Sequence, residues 1–165
     1  MHKDLKLSYK EDISKIPEGN IMRMERAFDT FKNLIKVFYS ENIFDKKYAL
    51  DLGEGDKSFV KLLQSKKFKV KGYDIDTVNF ETDKLPEQDN SVDIIFCNSV
   101  IEHIYNISNF FSEIYRVLKK GGILIIITPN FTYDFKNFYD DPTHVNPFTR
   151  TKPVSYTHLT LPTKA

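Results

Sequence analysis

Between residues 48 and 127, short apolar runs alternate with stretches of helical period, and this alternation is what most limits the folds open to the chain. Residues 48–52 read as a strand, 58–64 as a helix burying Phe59, Val60, Leu62 and Leu63, and 68–73 as a second strand. Residues 78–81 read as a third strand, although residues 74–77 are too few to form a crossover helix between parallel neighbours. Either that segment is irregular or a connecting helix is missing. Residues 92–97 read as a further strand and 107–118 as a helix presenting Ile107, Phe110, Phe111, Ile114, Val117 and Leu118. Lys119 and Lys120 suit the C-terminal dipole of that helix, with Gly121 at C′. Residues 123–127 are an uninterrupted apolar run, as expected of a parallel strand buried on both faces. The pattern predicts an α/β sandwich around a mostly parallel sheet.

Upstream, Met24, Phe28, Phe31, Ile35 and Phe38 recur at steps of four and three, which places them on one helical face, with Asn20 as the expected N-cap. Residues 1–19 are polar and carry the breakers Pro17 and Gly19, so they are expected to form a flexible N-terminal arm. A chain of 165 residues with 41% apolar side chains supports one core, assigned to residues 20–150. The net charge of +1 argues against an electrostatic grip on nucleic acid or anionic lipid. A single cysteine, Cys97, excludes a disulfide framework and a cysteine zinc cluster, and the strand that carries it makes it a core residue. The start is too polar for a secretion signal and no apolar stretch is long enough to span a membrane, so a soluble cytoplasmic domain is expected.

In parallel α/β sheets ligands bind beyond the carboxyl ends of the strands, where strand order reverses. Chemistry is therefore sought at Asp51–Gly55, Asp74, Glu81 and Asn98. Asp51-Leu-Gly53-Glu-Gly55 follows the first strand, and two glycines there allow a tight turn and close approach of a ligand to the backbone. By itself such a turn is equally well a plain strand-to-helix connection. Asp74 closes the second strand, 21 residues after Gly53, an offset at which a carboxylate can accept both hydroxyls of a ribose.

Leu85-Pro-Glu-Gln-Asp-Asn-Ser-Val-Asp, followed by a strand and Val100-Ile-Glu-His103, resembles the "LPF-x-DNSFD" turn and "VLEH" of the class I S-adenosylmethionine-dependent methyltransferases, with Val92 for the usual Phe. Arg116-Val-Leu-Lys-Lys-Gly-Gly-Ile-Leu resembles the family's "RVLKPGG-x-L" block, with Lys120 for Pro, and 141–149 resembles a segment after the fifth strand. The resemblance covers about residues 47–150 in the family's order. It implies a Rossmann-like three-layer sandwich lacking the family's last strands, S-adenosylmethionine as cofactor, and a small-molecule or glycan methyl acceptor. By resemblance, Asp51, Gly53 and Gly55 surround the methionine end of the cofactor and Asp74 binds the ribose. Glu81, with Thr82 and Asp83 as neighbouring candidates, lies near the adenine. Asn98 and Ser99 lie between the methionine moiety and the acceptor. Two departures stand out: Asp56 and Lys57 replace a third glycine, bringing a cation that Glu54 would have to offset, and the helix before residue 78 is missing.

If the acceptor is a hydroxyl, Glu102, His103 or His144 could take its proton. Each has a plainer reading, as a capping group, a pocket edge or a loop-ordering residue. Asp141, His103 and His144 lack the tight sequence spacing of a metal site, so no metal is expected. Asn106-Ile-Ser108 and Asn130-Phe-Thr132 match the glycosylation pattern by chance, and Asn106 reads better as an N-cap. Residues 151–165 follow no helical period and resemble the translation of a sequencing-adapter read-through, so a non-native tail and a C-terminally incomplete domain are expected. Two rivals stand beside a methyltransferase. One is a nicotinamide-dependent oxidoreductase, which would want a third glycine near Ser58. The other is a non-catalytic module of the same fold.

Overall fold

A computed structural model describes residues 18–39, 42 and 48–149. The expected arm, apart from residues 18 and 19, and the tail 151–165 lie outside the described residues. Four strands form one sheet in the order β2-β1-β3-β4: β1 Tyr48–Leu52, β2 Lys69–Tyr73, β3 Val92–Asn98 and β4 Leu118–Ile127. All three pairings are parallel. The chain builds outward from β1 to β2, then crosses back to place β3 on the other side of β1. Strand order therefore reverses between β1 and β3, and a cleft is expected at their carboxyl ends.

The alternation of side chains along the central strands divides the core in two. Ala49, Ile94, Phe96 and Ile123 face α1 (Glu18–Tyr39) and α2 (Ser58–Ser65), where they meet Phe28, Phe31, Ile35, Phe59, Leu62 and Leu63. Leu50, Leu52, Val92, Ile95 and Cys97 face α3 (Ile107–Val117), where they meet Phe110, Ile114 and Val117. The result is the three-layer sandwich the sequence predicts. Phe28, Phe31 and Ile35 of the helical stripe are buried and Met24 is half-buried, whereas the side chain of Phe38 lies outside the described set. α1 begins at Glu18, so Asn20 lies inside its first turn rather than capping it, and Gly19 does not break the helix.

Three further expectations are corrected. Residues 78–81 are not a strand: they form turns, with Val78 N–H and Thr77 N–H donating to Asp74 C=O at 2.9 and 2.8 Å. Val78 and Phe80 still bury their side chains, which accounts for the apolar signal without a place in the sheet. β4 begins at Leu118, which ends α3 in an extended conformation (φ −66°, ψ 136°). Lys119 and Lys120 thus belong to the strand rather than to a helix end. Lys119 pairs with Asp93 on β3 at 2.8 Å, and Gly121 takes its positive φ of 74° within β4, not at a helix C′. Finally, 123–127 is not buried on both faces. β4 is the sheet edge among the described residues, so Leu124–Ile126 are half-buried and Ile127 is exposed.

Arg116 explains why two separated motifs coexist. Its guanidinium donates to Leu85 C=O and Glu87 C=O, each at 2.8 Å, and pairs with Asp89 and Glu113, each at 2.7 Å. The planar fork of donors fastens the 85–89 turn to α3. Asn106 caps α3 by accepting from Asn109 N–H at 3.2 Å, as expected.

Phe96, 1% exposed, sits at the centre of the α1 face, with ring centroids 5.4 Å from Phe31 and 5.0 Å from Phe59. Phe96→Ala should lower unfolding free energy by about 3–5 kcal/mol in urea denaturation, the range for emptying a packed aromatic site.

Candidate functional site

At the reversal point lies a cavity of about 490 Å³, lined by Asn20, Arg23, Met24, Ala27 and Phe31 of α1, Asp51, Phe59 and Phe96, the 53–56 loop, and Asn98 and Ser99. A cavity of that size suits a small molecule or cofactor. Its floor is the turn after β1. Gly53 has φ +86°, and a Cβ there would lie 2.2 Å from Val100 Cγ2, so both the backbone angle and the space exclude a side chain. Gly53 N–H and Glu54 N–H both donate to Tyr73 C=O, at 2.7 and 3.2 Å, which locks the turn against the end of β2.

The absent third glycine has a structural substitute. Lys57 adopts the left-handed conformation itself (φ 63°), a strained choice for a lysine. Its Nζ lies 3.3 Å from Glu54 Oε1, which offsets the charge as the sequence required. Gly72 leaves room for that glutamate, because a Cβ there would sit 2.0 Å from Glu54 Oε2.

Asp51 shares its sheet face with its register partner Phe96 and is 4% exposed. Burial, reinforced by the negative charges of Glu54, Asp74 and Asp56, pushes its carboxyl up to about 7. A carboxylate in this position favours a cation in the cavity. Asp74 does not line the cavity: its Oδ2 accepts from Gly55 N–H at 3.0 Å and its Oδ1 from Ile75 N–H at 2.6 Å. It therefore stands at the outer side of the glycine turn, bonded to it. Glu81 does not line the cavity either, and its Oε1 accepts from Tyr105 N–H at 3.0 Å. Asn106 Nδ2 donates to Glu81 C=O at 3.2 Å, and Asn146 Nδ2 donates to Ile104 C=O.

Beyond β3, Glu102 is buried (0% exposed) and His103 and His144 are half-buried. One donor atom from each of the three lies within 4.8 Å of the others. Although residues 103 and 144 are distant in sequence, the loop carrying His144 returns because Val145 N–H and Asn146 N–H donate to Glu102 C=O at 2.8 and 3.0 Å. Of the predicted site residues, Asp51, Gly53, Gly55, Asn98 and Ser99 converge on the cavity. Asp74 is bonded to Gly55 of the lining, Glu81 is not among the lining residues, and Glu102, His103 and His144 form a separate cluster.

Sequence reasoning missed the α1 wall, Asn20, Arg23 and Met24. Its signal was present in the polar positions beside the aromatic stripe, but nothing in the sequence tells which flank of a helix meets a cleft. Asn20 Nδ2 donates to Asp56 Oδ2 at 3.3 Å, tying this wall to the loop.

A methyltransferase domain family matches residues 37–126, more than half of the chain. A protein of Mycolicibacterium smegmatis named a probable S-adenosylmethionine-dependent methyltransferase is 42% identical over 65 residues, 39% of this chain and 24% of its own. The ubiquinone biosynthesis O-methyltransferase of Rickettsia typhi is 29% identical over 116 residues, 59% of this chain and 46% of its own. These alignments span between about a quarter and a half of the relatives' length. The crystal structure of a SAM-dependent methyltransferase from Archaeoglobus fulgidus superposes with a TM-score of 0.61 at 20% identity, covering 91% of this chain and 70% of that one, a likeness of fold. The chain belongs to the S-adenosylmethionine-dependent methyltransferase domain family. Among the described residues, no helix is long and apolar enough to cross a membrane.

The raised Asp51 carboxyl gives a pH test. Its folded-state value of about 7 lies above the ordinary 3.8, so from about pH 4 to about pH 7 the folded chain keeps a proton that the unfolded chain loses. Stability contributed by this residue falls across that window as pH rises and is flat above it. Asp51→Asn should raise the melting temperature at about pH 8 and flatten its decline between about pH 5 and 7, read by differential scanning calorimetry.

Proposed function

We propose that the cavity holds S-adenosylmethionine and that the protein carrying this chain transfers its methyl group to a small-molecule or glycan acceptor. The observation that carries this reading is the buried Asp51 beside a glycine turn at the point of strand reversal. It places a strained carboxylate where a cationic ligand relieves it, with backbone exposed for close approach.

The residues present suit that cofactor. Asp51 faces its positive charge. Gly53 and Gly55 admit the methionine end against bare backbone. Arg23 of α1, in the same lining, is the candidate partner for the methionine carboxylate. Asp74, bonded to Gly55 N–H, lies at the turn's outer side where ribose hydroxyls would exchange for its present partners, with Glu81 toward the adenine. Bound S-adenosylmethionine supplies an electrophilic methyl group on a sulfonium, so the reaction needs no covalent intermediate on the protein. What the chain contributes is alignment of the acceptor with that methyl group and exclusion of water, a proximity effect.

Asn98 at the end of β3 and Ser99 after it line the cavity and are the candidates to hold the acceptor. Glu102, His103 and His144 are the candidates to receive its proton. Glu102 is fully buried and the two imidazoles are half-buried, so the imidazoles are the more accessible of the three. The nicotinamide reading is not favoured, since the family match and the absent third glycine both weigh against it.

Calorimetric titration tests the reading. S-adenosylmethionine should bind the chain at one site and NAD should not; the reverse result would overturn the assignment. Asp74→Ala should weaken binding of S-adenosylmethionine by about 1–3 kcal/mol, the cost of unpaired hydroxyls, and unchanged affinity would remove Asp74 from the site.

A further inference from the structure

We propose that Glu102, His103 and His144 form a binding site for a divalent first-row transition metal ion of the Zn²⁺ type. The three donor atoms lie within 4.8 Å of one another, and two independent observations give the cluster its direction.

The first is an orphan. Glu102 is fully buried, and its Oε2 accepts from Thr128 Oγ1 at 3.0 Å, but Oε1 is buried with no hydrogen-bond partner. A buried carboxylate oxygen left without a donor is costly, and a cation is one group that removes the cost.

The second is the state of the two imidazoles. His144 Nδ1 lies 2.6 Å from Phe138 C=O, an acceptor only, so that nitrogen carries the proton. His103 Nδ1 lies 2.8 Å from Thr143 Oγ1 and 3.2 Å from Thr143 C=O. The Thr143 hydroxyl gives its own proton to Asp141 Oδ1 at 2.5 Å, so both groups accept and Nδ1 of His103 must donate. In the neutral form, each ring is thereby fixed in the tautomer that leaves a lone pair on Nε2. Imidazoles that donate Nδ1–H to carbonyl or hydroxyl partners, with no hydrogen bond to Nε2 among the described residues, have the second-shell arrangement of metal ligands. Asp141 Oδ2 lies 3.9 Å from His144 Nε2, beyond hydrogen-bonding range, and adds negative charge beside the cluster.

Two imidazoles and one carboxylate are the donor set of an open zinc site, which leaves at least one coordination position for water or substrate. Zinc bonds of about 2.0–2.2 Å require ligand atoms closer together than 4.8 Å, so the ion would draw the three side chains inward. The ion's binding stands apart from the methyltransferase reading, but its use rests on it. An acceptor hydroxyl occupying the open position would release its proton to solvent more readily, and the imidazoles would then be ligands rather than bases.

The test uses the full chain without an affinity tag, stripped with EDTA and titrated with Zn²⁺ against a chromophoric chelator. One ion per chain should bind with micromolar affinity or tighter. Glu102→Gln and His144→Ala should each weaken binding by about tenfold or more, with folding checked by circular dichroism. Equal binding by the folded variants, or binding that His103→Ala with His144→Ala leaves intact through His2 and His158, would overturn the proposal. A measurement on the unaltered chain covers the case of variants that fail to fold. Co²⁺ should give intense visible bands of a four- or five-coordinate site that excess Zn²⁺ abolishes, whereas a spectrum identical to aqueous Co²⁺ would overturn the site. Zn²⁺ binding without S-adenosylmethionine binding would keep the metal site and sink the methyltransferase reading instead.

Discussion

The site depends on one steric fact: there is no room for a side chain at residue 53. The backbone there is left-handed and a Cβ would meet Val100 Cγ2 at 2.2 Å. The missing methyl lets the turn after β1 lie directly against the segment leaving β3. That contact brings the two strand ends together where strand order reverses, and the cavity walls follow from it. Tyr73 C=O, accepting from two successive N–H groups of the turn, holds β2 to the same point.

Charge is arranged around this turn with equal economy. Asp51 is enclosed among Phe31, Phe59 and Phe96, an environment that resists ionisation. Glu54 adds to that resistance and at the same time neutralises Lys57. The loop thus keeps its lysine paired, and the cavity wall sets Asp51, Glu54 and Asp56 beside Arg23 of α1, a mixed polarity that suits a guest carrying both charges.

Much of this was legible in the sequence for identifiable reasons. β1, α2, β3 and α3 announced themselves because their apolar residues repeat at the period of the element they form. Asp51, Gly53 and Gly55 were legible because strand ends in parallel sheets have a known use. Residues 78–81 misled because Val78 and Phe80 are buried from a turn, and burial alone does not distinguish a turn from a strand. The start of β4 misled because two lysines and a glycine usually close a helix, whereas here Lys119 has a partner in Asp93 across the sheet. The union of Glu102 and His103 with His144 was invisible, since it depends on backbone bonds from residues 145 and 146 to Glu102 that no local pattern encodes.

The hydrogen bonds around Glu81 have a mechanical consequence. Glu81 holds both Tyr105 and Asn106, and Ile104, next in the chain, holds Asn146. The turn at Glu81, the lead-in to α3 and the stretch after His144 are therefore links of one chain of contacts. A displacement of the turn at Glu81 must either carry the stretch after His144 with it or break a link, so the two segments share a single mechanical linkage.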